Sequence, residues 1–140
     1  MTAVDLCCGA GGLSKGLIDA GVNVVLGVDV WESALKVYTH NLRVPTLRAD
    51  LTKLPRLPRV DLICGGPPCQ DFSVAGKRKE GAKAKLTETF AQIVGREKPT
   101  FFAYENVPGA VKSATYGEAK CYLRSCGYGV TEVILDSSLY

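Results

Sequence analysis

The sequence predicts an α/β fold built on a doubly wound, mostly parallel sheet of the Rossmann-like kind. Two observations predict it. Short segments rich in apolar and β-branched residues alternate with segments of helical spacing, and glycine-rich or acidic residues follow the strands. Strand–helix alternation implies parallel strands joined by right-handed crossovers. With 140 residues, of which 46% are hydrophobic, the chain is long enough for one domain with its own core.

Three strands and two helices are predicted in the first fifty residues. A glycine-rich turn follows the first strand, and Gly21 is a natural stop for the helix after it. The second helix carries its apolar residues, from Ala34 to Tyr38, on or near one face. The predicted elements are strand 3–8, helix 12–21, strand 23–29, helix 31–41 and strand 46–50.

The remaining predicted elements lie after residue 59. A continuous apolar run is typical of a strand buried on both faces. Leu86, Phe90 and Val94 recur at helical spacing, and Pro99 ends that helix. The predicted elements are strand 60–66, helix 86–98, strand 100–107, helix 117–127 and strand 128–136.

Composition excludes several classes of protein. Charged residues make up 22%, the net charge is +3, and the longest apolar runs are too short to cross a bilayer. No basic segment followed by an apolar stretch opens the chain, so we expect no secretion signal and a cytosolic location. The six cysteines are then not expected to form a disulfide framework. Their spacing lacks the C-x2-C pairs of zinc sites, so no metal is expected, and most should be buried thiols.

The positive charge is concentrated in "GKRKEGAKAK", residues 76–85. Such a run is typical of a solvated loop. It also suits a loop that contacts the phosphates of a nucleic acid, with Lys77, Arg78 and Lys79 as the candidate contacts. Both interpretations stay open on this stretch alone.

The carboxyl ends of the predicted strands carry the residues of chemical interest, and ligands of such sheets bind there. "CGAGGLS" is a glycine turn between strand and helix, although Ser14 replaces the third glycine of G-x-G-x-x-G. Asp29 follows Gly9 by twenty positions and suits the hydroxyls of a ribose, which favours a nucleoside-containing cofactor over a tight turn with a solvated acid. Asp50 could accept from an adenine amino group or cap a helix.

Cys69 lies in the stiff turn "GGPPCQDFS" rather than inside a helix or strand. A thiol held at a pocket rim is placed for nucleophilic attack, and the alternative is a structural or incidental thiol. The single histidine, His40, lies on the second helix, where we interpret it as a surface or packing residue. Cys69 therefore needs another source of activation.

"YENV" is the candidate source of a proton. Glu105 follows the apolar strand "FFAY", which predicts a carboxyl beside an apolar wall, with its pKa raised by desolvation and a role as an acid. The alternative is a glutamate that caps or pairs at the strand end. Asn106 adds an amide that can fix a neighbouring loop or a ligand.

Together these motifs resemble the DNA (cytosine-5) methyltransferase family. The segments "DLCCGAGGLSKGL", "GVDVWESALKVY", "ADL", "GGPPCQDFSVAGKR", "LTETFAQIV" and "ENVPGAV" follow one another in that family's order and at roughly its spacing. The resemblance covers nearly the whole chain. It implies a Rossmann-like S-adenosylmethionine-dependent methyltransferase fold, incomplete at the C-terminus, with S-adenosyl-L-methionine as the cofactor.

The resemblance also implies the residue roles. Cys69 would attack C6 of a cytosine flipped out of the DNA duplex, and Glu105, beside Asn106, would contact N3 and the exocyclic amine. The C5 atom would then take the methyl group and lose its proton. Cofactor contacts would come from Cys7, Gly9, Ala10, Gly12, Asp29, Val30, Asp50, Leu51, Gly66, Pro68 and Leu86. DNA contacts would come from Gln70, Ser73, Lys77, Arg78 and Lys79.

The sequence departs from the family pattern in two respects. Cys7 stands where the family usually has Phe, which affects one aromatic contact to the cofactor. The family's later elements, namely Q-x-R-x-R, a variable target-recognition region and a last helix, would follow "VILDSSLY". We therefore expect residues 1–140 to be the N-terminal part of a catalytic domain. The three alternatives are a fragment, one subunit of a split enzyme with a complementing C-terminal polypeptide, and a degenerate cofactor-binding remnant.

The expected partner is DNA with a flipped-out cytosine, in restriction–modification or another DNA-methylation role, and no membrane. The expected location is the cytoplasm and nucleoid of a prokaryote or the nucleus of a eukaryote. An incomplete sheet should expose an apolar edge, which predicts low stability or the need for a partner. Two rival functions stay open, namely methylation of cytosine in tRNA and a non-catalytic cofactor-binding subunit. A nicotinamide dehydrogenase would leave "PPCQ" and "ENV" unexplained.

Overall fold

The computed structural model describes residues 1–68, 85–136 and 138. Its centre is a five-stranded parallel sheet in the order β3-β2-β1-β4-β5. The strands are β1 (Thr2–Leu6), β2 (Asn23–Asp29), β3 (Thr46–Arg48), β4 (Leu62–Gly65) and β5 (Phe101–Tyr104). The helices are α1 (Gly12–Asp19), α2 (Glu32–Leu42), α3 (Lys85–Glu97) and α4 (Ala114–Ser125). Two short 3-10 helices span Leu51–Lys53 and Pro108–Lys112.

Two apolar clusters cover the two faces of the sheet. Because successive side chains of a strand point to opposite faces, Val4 and Leu6 pack with α3 and α4, whereas Ala3 packs with α1 and α2. Tyr38 of α2 and Phe90 of α3 are the largest fully buried side chains of these layers. The predicted doubly wound α/β fold is confirmed, and the strand order reverses between β1 and β4.

The element boundaries differ from the prediction by a few residues at most ends. Helix α4 begins earlier than predicted, because the Ser113 hydroxyl accepts a hydrogen bond from the Tyr116 amide at 3.1 Å and caps the helix start. Strand β5 ends at Tyr104, so the "ENV" segment forms a turn rather than strand.

The predicted strand over residues 128–136 is wrong. In the described part of the chain these residues form no strand, and Val133, Ile134 and Leu135 are exposed. The segment lies against α4, where the Glu132 carboxylate accepts hydrogen bonds from Tyr116, at 2.6 Å, and from Lys120. An alternating apolar pattern becomes a strand only when a neighbouring strand supplies hydrogen bonds, and the described residues place no strand beside this segment.

Within the described residues, no helix has the length and apolar character needed to cross a membrane. The expected exposed apolar edge of the sheet is met at β5. Phe101 on the edge strand β5 is 58% exposed, and the apolar side chains of residues 133–135 are exposed as well. The low stability, or need for a partner, that such an edge implies remains a prediction.

Candidate active site

The carboxyl ends of four strands meet at one edge of the sheet, which we call the rim. Leu6 at the end of β1 pairs with Val28 of β2 and with Gly65 of β4, and Gly65 pairs with Tyr104 of β5. The residues that follow these strands therefore emerge side by side. This register brings together the glycine turn, Asp29, the segment before Cys69 and the "ENV" turn.

The glycine turn after β1 is held by the Asp29 carboxylate. Its backbone has positive φ at Cys7 (57°), Gly9 (52°) and Gly11 (100°), which is the left-handed region that favours glycine. Asp29 Oδ2 accepts a hydrogen bond from the Gly9 amide at 2.9 Å, and its Oδ1 accepts from the Trp31 amide at 2.9 Å. One carboxylate thus fixes both the turn and the start of α2.

The outer side of this turn is open. A Cβ added at Gly9 or Gly12 would meet no atom of the described residues within 4 Å. Val30 and Trp31, beside Asp29, are 59% and 66% exposed. An open glycine edge beside a carboxylate and two exposed apolar side chains fits a ligand with a ribose, an apolar base and a small polar chain, such as S-adenosylmethionine.

Asp50 is the next acidic residue along the rim. It is exposed and caps the 3-10 turn at Leu51–Lys53, where Oδ1 accepts from the Thr52 amide at 2.9 Å and from its hydroxyl at 2.8 Å. These hydrogen bonds lower the pKa of the Asp50 carboxyl. The cap interpretation of "RADLT" is confirmed, and an adenine contact remains a prediction. Leu51 is buried in the core cluster.

The turn after β4 approaches the "ENV" turn closely. The Glu105 amide donates to the Gly65 carbonyl oxygen at 3.0 Å. A Cβ added at Gly66 would lie 2.8 Å from Glu105 Oε2, so the glycine leaves room for this carboxylate. Glu105 itself is exposed, which corrects the expectation of an apolar wall, because the strand β5 before it ends at Tyr104 and its carboxylate lies next to Gly66 rather than against apolar side chains.

Asn106 ties the "ENV" turn to the segment before Cys69. Its Nδ2 donates to the Pro67 carbonyl oxygen at 3.1 Å and to the Tyr104 hydroxyl at 2.9 Å, and its Oδ1 accepts from the Val107 amide at 2.9 Å. The prediction that this amide fixes a neighbouring loop is confirmed. Cys69 follows Pro67 by two residues in the chain.

Two residues of this network were not identified from the sequence. The Tyr104 hydroxyl shares a hydrogen bond of 2.8 Å with the Thr87 hydroxyl of α3, and burial raises the pKa of Tyr104. Thr87 is buried. The signal in the sequence was a phenol at the end of an otherwise apolar strand, since a buried hydroxyl needs a partner.

Several predicted site residues lie outside the described residues, namely Cys69, Gln70, Ser73, Lys77, Arg78 and Lys79. Of the other cysteines, burial raises the pKa of Cys7 and of Cys8 to about 12 and raises the pKa of Cys64 as well. These three thiols stay protonated at neutral pH and are poor nucleophiles. Of the described cysteines, Cys8 and Cys64 are buried and Cys7 is partly buried, while Cys121 and Cys126 are exposed; His40 is exposed on α2.

Of the remaining predicted cofactor contacts, Ala10 lies exposed in the glycine turn, and Pro68 is exposed after β4. Leu86 lies in the first turn of α3 and is partly buried against the core. Ala10 and Pro68 reach the rim together with Gly9 and Gly66. Whether these side chains contact a cofactor remains a prediction.

Comparison with known proteins identifies the family. The family model described as C-5 cytosine-specific DNA methylase matches residues 1–140. The chain is 40% identical to the type II methyltransferase M.HgiDI of Herpetosiphon aurantiacus over 99% of its length and 47% of the relative, and 40% identical to M.HindV of Haemophilus influenzae over 99% of its length and 48% of the relative. The chain thus spans about half the length of these curated relatives.

A solved structure gives the same result. An E. coli prophage-encoded protein described as a DNA modification methyltransferase superposes with a TM-score of 0.74 at 29% identity, over 90% of this chain and 37% of the other. Family membership implies S-adenosylmethionine as the cofactor, which the open glycine edge and Asp29 fit. The chain belongs to the C-5 cytosine-specific DNA methylase family.

Proposed function

We propose that this chain is the cofactor-binding and cysteine-bearing part of an enzyme that methylates C5 of cytosine in DNA, of the restriction–modification kind that its type II relatives represent. Its place of action would be the nucleoid of a prokaryotic cytoplasm. The observation that carries the proposal is the juxtaposition at the rim. The Asp29-clamped glycine turn lies beside the Gly66–Glu105 contact, and Asn106 anchors the backbone two residues before Cys69.

The chain's own residues would act as follows. The Cys69 thiolate adds to C6 of the cytosine, which breaks the C5–C6 π bond and moves its electron pair to C5, in conjugation with C4 and N3, so that C5 can take the methyl group. Glu105, exposed at the rim, contacts N3 and the exocyclic amine and stabilises the charge that develops there. Loss of the C5 proton after methylation re-forms the double bond and expels the thiolate. The cofactor, when bound, supplies the methyl group to C5.

Binding of the substrates would divide between two parts of the rim. The glycine turn and Asp29 would hold the cofactor, with Val30 beside its adenine. The cytosine lies inside a duplex, so it must be flipped out of the stack to reach Cys69. Lys77, Arg78 and Lys79 would meet DNA phosphates, which position the duplex without reading its sequence. We further propose that sequence-reading elements lie in a C-terminal portion, within the same protein or in a complementing polypeptide.

The test uses DNA that contains 5-fluorocytosine, whose fluorine replaces the C5 proton, so the enzyme stays bound after methyl transfer. The chain is mixed with this DNA and S-adenosylmethionine, alone and together with the C-terminal half of M.HgiDI supplied in trans. A covalent adduct that disappears in Cys69→Ser supports the proposal. Absence of an adduct in the complemented mixture, with cofactor binding intact, contradicts catalysis and leaves a cofactor-binding subunit. An adduct with tRNA but not with DNA would assign the rival substrate.

A further inference from the structure

A buried chain of hydrogen bonds lies beneath the glycine turn, and the proposed chemistry does not use it. It consists of Asp5 on β1, Ser14 on α1 and Tyr38 on α2, which are 1%, 0% and 0% exposed. The Ser14 hydroxyl donates to Asp5 Oδ2 at 2.6 Å and lies 2.7 Å from the Tyr38 hydroxyl. Because a serine hydroxyl has a single hydrogen, Tyr38 is the donor to Ser14.

The Tyr38 ring also touches the turn itself. A Cβ added at Gly11 would lie 2.9 Å from Tyr38 Cδ2, and one added at Gly27 would lie 2.6 Å from Tyr38 Cζ. The ring therefore occupies the space that side chains at these two positions would need. Gly11 belongs to the glycine turn, and Gly27 precedes Asp29 by two residues on β2.

These contacts support the turn from the side opposite its open edge. Asp29 holds the Gly9 amide, while Tyr38 and Ser14 join α2 and α1 to β1 underneath. The position that would be a third glycine in G-x-G-x-x-G thus carries a serine with a structural partner on each side. The Ser14 and Tyr38 hydroxyls are satisfied within this chain, whereas Asp5 Oδ1 has no hydrogen-bond partner among the described residues.

We propose that Tyr38 is a positioning residue of the cofactor site, which acts through Ser14 and Asp5 to hold the turn Cys8–Gly12 in the shape that receives S-adenosylmethionine. The inference rests on the proposed function, because it assumes that this turn binds the cofactor. Tyr38 touches no cofactor itself. Its effect is to keep the open glycine edge pre-organised, so that little ordering is needed when the ligand binds.

The test measures cofactor affinity in Tyr38→Phe, Ser14→Ala and the double variant. Trp31 is the single tryptophan of the chain and lies two residues after Asp29, so its fluorescence reports titration with S-adenosylmethionine. Loss of one buried hydrogen bond predicts that Tyr38→Phe and Ser14→Ala each weaken binding about five-fold to ten-fold. The double variant should bind no more weakly than the weaker single variant, because the two residues act in one chain.

The matched control is Tyr128→Phe. The Tyr128 hydroxyl donates to the Pro99 carbonyl oxygen at 2.7 Å, before the start of β5 and thus at the opposite edge of the sheet. This variant also loses one hydrogen bond and some stability, but its cofactor affinity should equal that of the wild type. Hydrogen exchange gives a second readout, since the amides of Cys8 and Gly11 should exchange faster in Tyr38→Phe and not in Tyr128→Phe.

The outcomes separate the inference from the proposed function. Absence of cofactor binding by the wild-type chain overturns the proposed function, and the inference falls with it. Wild-type binding that Tyr38→Phe and Ser14→Ala leave unchanged, relative to Tyr128→Phe, overturns the inference alone. If Tyr38→Phe does not fold, the cofactor affinity of Ser14→Ala tests the inference, because this variant keeps the Tyr38 ring and removes only the central hydroxyl.

Discussion

On the β1–β2 side of the rim, the glycine turn is held by the Asp29 carboxylate and lies next to a buried chain of hydrogen bonds, whereas on the β4–β5 side the Glu105 carboxylate is exposed and the Asn106 amide anchors the neighbouring segment. The first side combines the Asp29 clamp with the buried chain that ends at Asp5. The second has Glu105 exposed and Asn106 holding Pro67. The difference matches two tasks. A cofactor pocket needs a preformed shape, whereas a flipped cytosine needs a polar group that is still free to bind it.

Substitutions at the adjacent glycines Gly65 and Gly66 should affect stability and catalysis separately. Gly65→Ala should have the largest effect of the variants proposed here, and that effect is on stability. Its Cβ would lie 2.3 Å from the Leu6 carbonyl oxygen, which belongs to the backbone of the neighbouring strand and cannot move aside. We expect the free energy of unfolding to fall by about 3 kcal/mol, measured by chemical denaturation.

The matched control is Gly66→Ala. Here the Cβ would meet Oε2 of the flexible Glu105 side chain at 2.8 Å. The free energy of unfolding should change by less than about 1 kcal/mol. The rate of adduct formation on 5-fluorocytosine DNA should fall, because the Glu105 carboxylate is displaced. Equal destabilisation by both alanines would contradict this division.

Asp5 makes the first side sensitive to pH. Burial raises the pKa of its carboxyl to about 6 from 3.8, and its Oδ1 has no hydrogen-bond partner among the described residues. Between pH 4 and 6 the folded chain holds a proton that the unfolded chain releases, so stability falls as pH rises through this range. Above pH 6 the ionised Asp5 carboxylate lowers the free energy of unfolding by about 3 kcal/mol.

Asp5→Asn removes this titration. The difference in unfolding free energy between the variant and the wild type should therefore move in favour of the variant from pH 4 to pH 6 and then level off. Carboxyls with lowered pKa, such as Asp61 and Glu32, are common to both proteins and cancel in that difference. If this difference stays constant from pH 4 to pH 6, Asp5 is not the source of the pH dependence of stability.

Asp29→Ala tests the clamp on the first side. It removes two hydrogen bonds from backbone amides to a carboxylate, as well as the group expected to meet the ribose. Affinity for S-adenosylmethionine should fall about 100-fold, equivalent to about 3 kcal/mol at most for such charged hydrogen bonds. Trp31 fluorescence measures it. Asp19→Ala, which loses only an exposed ion pair with Lys15, should bind like the wild type.

Tyr104→Phe should have the smallest effect. It removes the hydroxyl that joins Asn106 to Thr87, and we expect a stability loss of about 1 kcal/mol. Adduct formation should slow by a few-fold as the Asn106 amide loses one of its acceptors. Thr89→Val is the control, because among the described residues its hydroxyl bonds to the Lys85 carbonyl oxygen alone, at an exposed site on α3. A larger effect of Thr89→Val than of Tyr104→Phe would contradict the role of the network.

The sequence was most informative where the signal is local. The turn after β1 needs backbone conformations that favour glycine, and the acidic residue twenty positions later ends the neighbouring strand, so both features were predicted and both are found in contact. The Pro67 anchor was only a general expectation for Asn106. Its acceptor lies 39 residues away in sequence, and no local pattern encodes that distance.

The failures share a cause. Residues 128–136 have the composition of a strand, but a strand is completed by its neighbour, and α4 provides different contacts for Glu132. Glu105 was expected to be desolvated because its strand is apolar, yet exposure depends on what covers the side chain. In both cases the decisive partner is not part of the local pattern.

The sequence by itself determined the strand–helix alternation, the glycine turn, the acidic residue at the end of β2 and the family to which these motifs point. Those features depend on local backbone preference and on the periodicity of apolar residues. Only the tertiary structure decided that Ser14 joins Tyr38 to Asp5, that Gly66 makes room for Glu105, and that Asn106 holds Pro67. Each of these contacts joins separate elements, and the packing of parallel strands fixes which residues meet.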